Sequence, residues 1–414
     1  MISLRRHYTR CVRGALASLK TIERPSVWRL VAVGLSVLAG SAAFGLQGAS
    51  GASGPAQAAG TPVPAGFVGM NADGPLFNSH VRLSGQLKKM VSSGVERIRV
   101  DFDWAQAQPY AKCSEVPSAQ AASFVGCPGG VPTDFARTDR IVAQAAKRHL
   151  GLLPVVMYSP PWDASPTGSH IQPAHDRPYG QYLTALVRRY GPKGSFWSAN
   201  PSLPKDPITE WQIWNEPDLS FTWATQPFAR SYVALLRVAH QAIKAADPQG
   251  KVVLGALTNY GWRDLASIYK VPGSRNLFDR VAADVYTQHS AGVITILGYY
   301  RRVMDKNGDP HKPIVATEVG WPSDRGVASG NPAFSTTEKG QATKLARLLP
   351  QLARNRGKLG LAGFFYYTWM TTDHGGPRTW YFYSGLLRFD RSTYKISPKP
   401  AYWAFRRTAH QLES

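Results

Sequence analysis

Eight short apolar segments alternate with longer amphipathic segments along most of this chain. Short apolar runs are typical of strands buried on both faces, and the segments between them have the spacing of helices with one apolar face. Strands that alternate with helices in this way form parallel β-α units. Eight consecutive units predict an α/β fold, a closed (β/α)₈ TIM barrel that forms a single catalytic domain over residues 60–414.

The predicted elements cover the barrel domain from end to end. The strands are predicted at 66–73, 95–104, 151–160, 208–217, 251–260, 280–288, 313–321 and 359–370. The helices are predicted at 80–93, 134–149, 175–190, 228–246, 262–269, 293–307, 336–355 and 401–410. Barrels of this class use 250 residues or more as one domain, so the 414-residue length calls for no second folded domain.

The first 59 residues have the composition of an export segment. Basic residues precede an apolar run at 30–46, a stretch rich in Gly, Ala and Ser follows, and 56–58 reads Ala-Gln-Ala, a small-residue cleavage site. We therefore predict a signal peptide, or alternatively an uncleaved membrane anchor, and a secreted or cell-surface protein. Cys113 and Cys127 are the two cysteines beyond this segment, and an oxidising compartment predicts a disulfide between them. The alternative is a pair of free thiols.

The chain is strongly basic, with 48 Lys and Arg residues against 26 Asp and Glu residues and a formal net charge of +22. These basic residues are spread along the sequence instead of forming the runs that are typical of nucleic-acid-binding arms. The sequence therefore predicts no nucleic-acid partner. An acidic polysaccharide or an anionic cell surface is compatible with the charge.

Two glutamates follow apolar strands, at the ends of predicted strands four and seven. Glu216 precedes Pro217, which removes a backbone amide and ends the strand, and Glu318 follows the run PIVAT. The C-terminal ends of barrel strands carry the chemistry, so the two carboxyl groups are expected to face each other. Glycoside hydrolysis needs such a pair, one carboxyl protonated and the other ionised. The plainer alternative is that each glutamate caps a helix or pairs with an arginine.

Residues 211–223, WQIWNEPDLSFTW, together with the Thr-Glu pair that closes strand seven, resemble the clan of retaining glycosidases on (β/α)₈ barrels. Within that clan they most resemble glycoside hydrolase family 39. The resemblance implies that Glu216 is the general acid/base and Glu318 the nucleophile. It also implies that Asn215 hydrogen-bonds the sugar 2-hydroxyl.

The same resemblance implies further contacts around the nucleophile. Arg99 matches an arginine whose charge favours the ionised nucleophile, although Arg97 lies two residues away on the same strand face. Tyr286 is expected to hydrogen-bond the nucleophile. The family has His-x-Tyr on strand six, whereas this chain has Asp284 in the histidine position. His289 is a candidate to replace that histidine, with a solvent-facing loop residue as the alternative.

Aromatic residues at strand ends are candidate sugar platforms, because their faces stack on the apolar faces of sugar rings. Trp369 closes predicted strand eight, where the clan has an aromatic floor beneath the sugar, and Tyr158 ends strand three. Candidates for flanking subsites are Trp162, Trp223, Trp321 and Trp380. The alternative for each ring is packing within the core.

Taken together, these residues predict hydrolysis of a β-linked oligo- or polysaccharide by double displacement, with no cofactor and no metal. Two alternatives from other classes are a non-catalytic carbohydrate-binding barrel and a basic cell-surface adhesin. The sugar and its linkage depend on the loops that follow the strands, and the sequence does not predict them.

Overall fold

Eight parallel strands form the central sheet. Their bounds are β1 Val68–Asn71, β2 Arg97–Asp103, β3 Gly151–Met157, β4 Glu210–Ile213, β5 Lys251–Val253, β6 Val281–Val285, β7 Ile314–Val319 and β8 Leu361–Tyr366. The strand order is β5-β4-β3-β2-β1-β8-β7-β6. The computed structural model describes residues 63–413 except 128–129, 165–171, 259, 328–329, 331 and 376–378. The export segment predicted at 1–59 lies outside the described residues.

The first and last strands of that order meet and close the sheet. Parallel bridges join Val253 to Arg280 and Leu257 to Ala283. The backbone N–H of Asp284 also donates to the carbonyl of Leu257 at 3.0 Å. The predicted (β/α)₈ barrel is therefore confirmed.

Ten helices of the described chain pack mainly outside the strands. They are α1 Leu83–Val91, α2 Trp104–Ala107, α3 Ala136–Ala146, α4 Asp176–Tyr190, α5 Ser195–Ala199, α6 Ala229–Ala246, α7 Gly261–Tyr269, α8 Ser290–Lys306, α9 Glu338–Leu359 and α10 Pro400–Glu413. Short 3₁₀ helices lie at Gly74–Phe77, Cys113–Glu115, Ser118–Ser123, Ser274–Leu277 and Trp380–Tyr383. In α6, for example, Tyr232, Leu236, Ala239 and Ile243 recur every three or four residues and are buried, as on a helix with one apolar face.

All eight predicted strands extend beyond the observed bounds, and the backbone explains this for strands four and eight. Strand four was expected to run to Pro217, but β4 ends at Ile213, because Trp214 already has a left-handed backbone with φ of 67°. Strand eight was expected to begin at Leu359, which is instead the last residue of α9. Gly360 then ends that helix with φ of 61°, a conformation that glycine adopts readily.

A second, three-stranded sheet follows β8 and was not predicted from the sequence. It consists of β9 Met370–Thr371, β10 Leu387–Phe389 and β11 Ile396–Pro398, in the order β11-β10-β9. β9 pairs with β10 in parallel, and β10 pairs with β11 in antiparallel orientation. The chain therefore leaves the barrel at Tyr366 and enters this sheet before α10.

The predicted disulfide between Cys113 and Cys127 is present and closes a loop between β2 and α3. Inside the barrel, apolar strand side chains pack against one another, as is usual for this fold: Leu153, Val253, Ala256, Ala282, Val315 and Phe365. Within the described ranges, every helix is too short or too polar to cross a lipid bilayer.

Candidate active site

Arg99 connects side chains from four parts of the barrel and is only 5% exposed. Its Nη1 donates to Glu318 Oε1 at 2.7 Å and to Asn71 Oδ1 at 2.8 Å. Its Nη2 donates to Asn215 Oδ1 at 2.7 Å, and its Nε donates to Gln212 Oε1 at 2.8 Å. The guanidinium thus fixes the positions of two predicted site residues at once.

Arg97 and Arg99 both point into the barrel from β2, since they are two residues apart on one strand. Arg97 lies at the opposite, N-terminal end, where its Nη2 contacts Glu210 Oε2 at 3.0 Å. Arg280 contacts the other oxygen of Glu210 at 2.6 Å. Of the two arginines that the sequence left as alternatives, Arg99 is therefore the one beside Glu318.

Glu318 lies on β7 close to its C-terminal end and is 9% exposed. One of its oxygens accepts the hydrogen bond from Arg99, and the other accepts a 2.6 Å hydrogen bond from the hydroxyl of Tyr286. Both oxygens of the Glu318 carboxyl therefore accept hydrogen bonds, which fix its orientation. The expected contacts of Arg99 and Tyr286 with this carboxyl are both present.

Glu216 follows β4 in a left-handed conformation, with φ of 47°. Its backbone N–H donates to the carbonyl of Ala256 at 2.9 Å, and its carbonyl accepts hydrogen bonds from Leu219 and from the hydroxyl of Thr222. These bonds hold a backbone conformation that is uncommon for non-glycine residues. The half-buried side chain then meets Glu318, with carboxyl oxygens of the two residues within 4.8 Å of each other.

The two glutamates have different electrostatic environments. Burial raises the pKa of Glu216 to about 8, and the negative charges of Glu318 and Asp218 add to that rise, while Arg99 opposes it. Glu216 is therefore mainly protonated at neutral pH. Glu318 instead receives the hydrogen bonds of Arg99 and Tyr286. One carboxyl suits proton donation and the other suits nucleophilic attack.

Asp284, the departure on strand six, is part of the same cluster. It is completely buried on β6, and its Oδ1 accepts a 2.7 Å hydrogen bond from the hydroxyl of Thr317. A carboxyl oxygen of Asp284 lies within 4.8 Å of oxygens of both Glu216 and Glu318. Burial and the charge of Glu318 raise the pKa of Asp284 well above its usual range. These three carboxyls could together hold a metal ion, and the guanidinium of Arg99 already supplies a positive charge beside Glu318.

An aromatic group lies beside Glu318. Tyr286 packs against Trp380 at 4.8 Å between ring centroids, against Phe334 at 5.4 Å and against Tyr367 at 6.2 Å. Trp380, Phe334 and Tyr367 are half-buried, so part of each side chain stays accessible. Trp380, which the sequence suggested for a flanking subsite, is therefore next to a residue of the site.

Three predicted sugar platforms are wrong because their rings are buried. Trp369 is 0% exposed, and its indole N–H donates to Gln86 on α1 at 3.0 Å, so the ring lies against the helices. Trp321 is 1% exposed and donates to the carbonyl of Thr287. Trp223 is buried too, edge-on against Trp214.

The remaining predicted residues lie in loops that follow strands. Trp162 is half-buried, with its indole N–H bonded to the carbonyl of Gln108 at 2.7 Å. Tyr158 is half-buried directly after β3. His289 is an exposed residue that directly precedes α8. Among the described residues, the hydrogen bonds to the Glu318 carboxyl come from Arg99 and Tyr286, so His289 does not replace the missing histidine there.

Sequence reasoning missed three residues that position the site. Asn71 closes β1 with a polar side chain, and a polar residue at the end of an apolar strand is the signal that could have found it. Gln212 has the parity of an inward-facing residue on β4, and it also donates to Asn215 Oδ1 at 3.2 Å. Tyr367 follows β8 directly, but the strand was expected to continue to Met370, so Trp369 was chosen in its place.

Further carboxyls surround the C-terminal mouth of the barrel. Asp73 follows β1, and Asp101 lies on β2; burial raises the pKa of each to about 6. The charge of Glu318 contributes to the rise at Asp73. Asp218 follows β4 and accepts hydrogen bonds from the backbone and hydroxyl of Thr258. The mouth is thus acidic although the protein as a whole is basic.

The sequence matches no protein-family model and no curated protein. Among solved structures, a glucosidase from Croceicoccus marinus is similar, with a TM-score of 0.59 and 16% identity over 86% of this chain and 68% of that one. A β-glucosidase from Thermotoga maritima in complex with azafagomine has a TM-score of 0.57 and 12% identity, over 85% of this chain and 99% of that one. The GH53 catalytic domain of Ignisphaera aggregans has a TM-score of 0.54 and 20% identity, over 84% of this chain and 99% of that one. At these identities the likeness establishes the barrel fold.

Proposed function

We propose that this protein is a secreted retaining glycoside hydrolase that cleaves β-linked glycans, with Glu216 as general acid/base and Glu318 as nucleophile. The observation that carries the proposal is the pairing of their carboxyl oxygens within 4.8 Å at the mouth of the barrel. Retaining glycosidases hold their two carboxyl groups about 5–5.5 Å apart, whereas inverting enzymes need room for a water molecule between them. The sequence resemblance to the retaining clan and the barrel shared with solved glucosidases support the same conclusion.

In the first step, the proton on Glu216 passes to the glycosidic oxygen as the bond to the anomeric carbon breaks. Glu318 Oε attacks that carbon and forms a glycosyl ester. Arg99 and Tyr286 hold the nucleophile in place, so little reorganisation is needed. The carbonyl oxygen of Asn215 is engaged by Arg99, which orients its amide nitrogen as a donor for a sugar hydroxyl.

In the second step, Glu216 is ionised and accepts a proton from water while the water oxygen attacks the anomeric carbon. The ester bond to Glu318 breaks, and its carboxylate again pairs with Arg99. The burial that raises the pKa of Glu216 favours this proton transfer, because it returns the residue to its protonated form.

The sugar at the cleaved bond is proposed to be neutral. An acidic sugar there would face Asp73, Asp101 and Asp218 as well as the catalytic pair, and like charges at short distance are unfavourable. Any preference for acidic polymers is then expected to come from the basic outer surface. This is tested by comparing kcat/KM for neutral β-glycans with kcat/KM for β-glycans that contain uronic acids. The comparison separates the effect of the acidic mouth from the effect of the basic outer surface.

The proposal of secretion rests on the sequence of residues 1–59 and on the Cys113–Cys127 disulfide, which is typical of oxidising compartments. Expression of the full chain with analysis of the culture medium tests it. Mass spectrometry of the released protein is expected to give an N-terminus near residue 59. Retention of the full-length chain in the membrane fraction would favour the anchor instead.

The decisive experiment is the stereochemistry of the first product. After a panel of chromogenic β-glycosides and β-glucans has identified a substrate, proton NMR during early hydrolysis is expected to show the β-anomer before mutarotation. Appearance of the α-anomer first would make Glu318 a base and exclude the double displacement. Glycan binding without turnover across the panel would instead favour a carbohydrate-binding barrel.

A further inference from the structure

Asp284 is a buried titratable group that the two-step reaction does not use. It is 0% exposed, and in the described chain its Oδ2 has no hydrogen-bond partner. Among the residues that the structure describes, its side chain accepts a hydrogen bond from Thr317, to Oδ1. A carboxyl with one satisfied oxygen and one bare oxygen next to both catalytic glutamates requires a physical explanation.

The charges around Asp284 do not balance if every carboxyl is ionised. The charged and titratable groups that act on it come from five separate places: Arg99 on β2, Glu216 after β4, Tyr286 after β6, Tyr300 on α8 and Glu318 on β7. Arg99 is the one cation among them. Three carboxylates would leave two uncompensated negative charges in a buried cluster, which is very unfavourable.

We propose that Asp284 is a positioning residue that stays un-ionised through the whole reaction, so that Arg99 always faces one carboxylate. This inference rests on the proposed function. In the resting enzyme the carboxylate is Glu318, with protons on Glu216 and Asp284. In the glycosyl-enzyme Glu318 is a neutral ester and Glu216 is the carboxylate. The catalytic proton passes from Glu216 to the leaving oxygen and returns from water, and the Asp284 proton never transfers.

The alternative state shows why this proton matters. An ionised Asp284 would place a second negative charge beside Glu318, which would favour a proton on the nucleophile and remove its reactivity. The burial that keeps Asp284 neutral therefore protects the charge on Glu318. Carboxylic acids held neutral in this way by an apolar site are known among enzymes.

Infrared spectroscopy tests the protonation state without any substrate. An un-ionised carboxylic acid has a carbonyl stretch that is separate from the carboxylate bands. Wild-type protein labelled with [4-¹³C]aspartate is expected to show an isotope-shifted acid band at pH 8, where Asp73 and Asp101 are ionised. The band is expected in Glu216→Gln protein and to be lost in Glu216→Gln/Asp284→Asn protein. Absence of the labelled band in the wild type, or its persistence in the double variant, would overturn the proposal.

Kinetics tests the positioning role. Asp284→Ala is expected to lower kcat by roughly 10²-fold, the scale of a slightly misplaced site, and Asp284→Asn, a neutral group of the same shape, to recover most of that loss. Asp284→Asn is also expected to leave the alkaline limb of the kcat/KM profile within about 0.3 pH unit of the wild type. A limb about one unit lower would mean that an ionised Asp284 had been raising the Glu216 pKa, and the proposal would be wrong.

Asp218→Asn is the matched control for that profile. Asp218 is another carboxyl whose charge raises the pKa of Glu216, so its neutral variant is expected to move the limb to lower pH. An absent shift at Asp218 together with a shift at Asp284 would reverse the assignment. If the wild type hydrolyses no glycan, the infrared measurement still decides the state of Asp284, so failure of this inference is distinct from failure of the proposed function.

Discussion

At the N-terminal end of the barrel one carboxylate lies between two guanidinium groups, whereas at the C-terminal end three carboxyls share one. Glu210 contacts Arg97 and Arg280, and the two charges hold its pKa below the usual range. At the other end Arg99 is bonded to Glu318, and the pKa of Glu216 rises to about 8. The two guanidinium groups at the N-terminal end therefore favour the ionised form of Glu210. Burial and the neighbouring carboxyl groups at the C-terminal end favour the protonated form of Glu216.

The largest expected effect is the loss of turnover when either catalytic carboxyl becomes an amide. Glu318→Gln is expected to lower kcat by about 10⁴-fold or more, since no covalent intermediate can form. Glu216→Gln is expected to lose roughly 10²–10⁴-fold, because proton donation is lost. Steady-state kinetics and circular dichroism are the measurements. Near wild-type rates in either folded variant would contradict the assignment.

The same amide substitution at the N-terminal end is expected to affect stability instead. Glu210→Gln leaves Arg97 and Arg280, with side chains 17% and 14% exposed, without their counter-charge. We expect the free energy of unfolding to fall by about 3 kcal/mol, as when one partner of a buried pair is removed. Urea titration measures this, and kcat/KM is expected to stay within about twofold of the wild type. A large kinetic effect with unchanged stability would break the comparison.

In the proposed mechanism, loss of the proton on Glu216 sets the alkaline limit of activity. Because Glu216 must be protonated to donate, kcat/KM is expected to fall as the pH rises through about 8, by about tenfold per pH unit above it. Substrates with very good leaving groups, such as dinitrophenyl glycosides, need less acid assistance. For them the limb is expected to be shallower in the bond-breaking step. Identical limbs for both substrate types would assign the titration to another group.

The smallest effect is on the pH dependence of stability, and its sign differs between the two ends. Glu216 keeps its proton in the folded protein to higher pH than in the unfolded chain, so its contribution is full below pH 4.5 and is lost as the pH rises toward 8. The contribution of Glu210 is present above pH 4.5 and is lost in acid. Glu216→Gln should therefore flatten the fall in stability between pH 5 and 8, by about 1 kcal/mol per pH unit. Urea titrations at several pH values measure that slope. Parallel slopes in both proteins would contradict it.

The comparison also separates what the sequence predicts from what it does not. Alternating apolar segments predict the barrel, and Glu216 and Glu318 follow from their places after strands. The alternation of side chains along a strand does not separate Arg97 from Arg99, because both point inward. The residues on the neighbouring strands determine which carboxyl each arginine contacts. Asp284 stands where the resembled family has a histidine, and the sequence alone gives it no role. Its protonation depends on burial and on charges from distant strands, which local sequence does not specify.

Where the barrel strand ends is the other quantity that local pattern predicts poorly. The apolar residues of strand eight continue into Trp369 and Met370, so composition gives no sign that β8 stops at Tyr366. The chain then pairs with β10, which lies far along the sequence. The predicted end of strand eight lies four residues beyond the observed end of β8. The prediction therefore selects Trp369, which is buried against the helices, in place of Tyr367, which is partly accessible.

The bonds of Arg99 make catalytic activity a reporter of folding. Arg99 contacts Glu318, which lies 219 positions away in the chain, and its other partners come from β1, β4 and the turn after β4. Such distant contacts are slow to form relative to helices and neighbouring strands. During refolding, regained activity should therefore lag behind the recovery of secondary structure and follow the closure of the ring of strands.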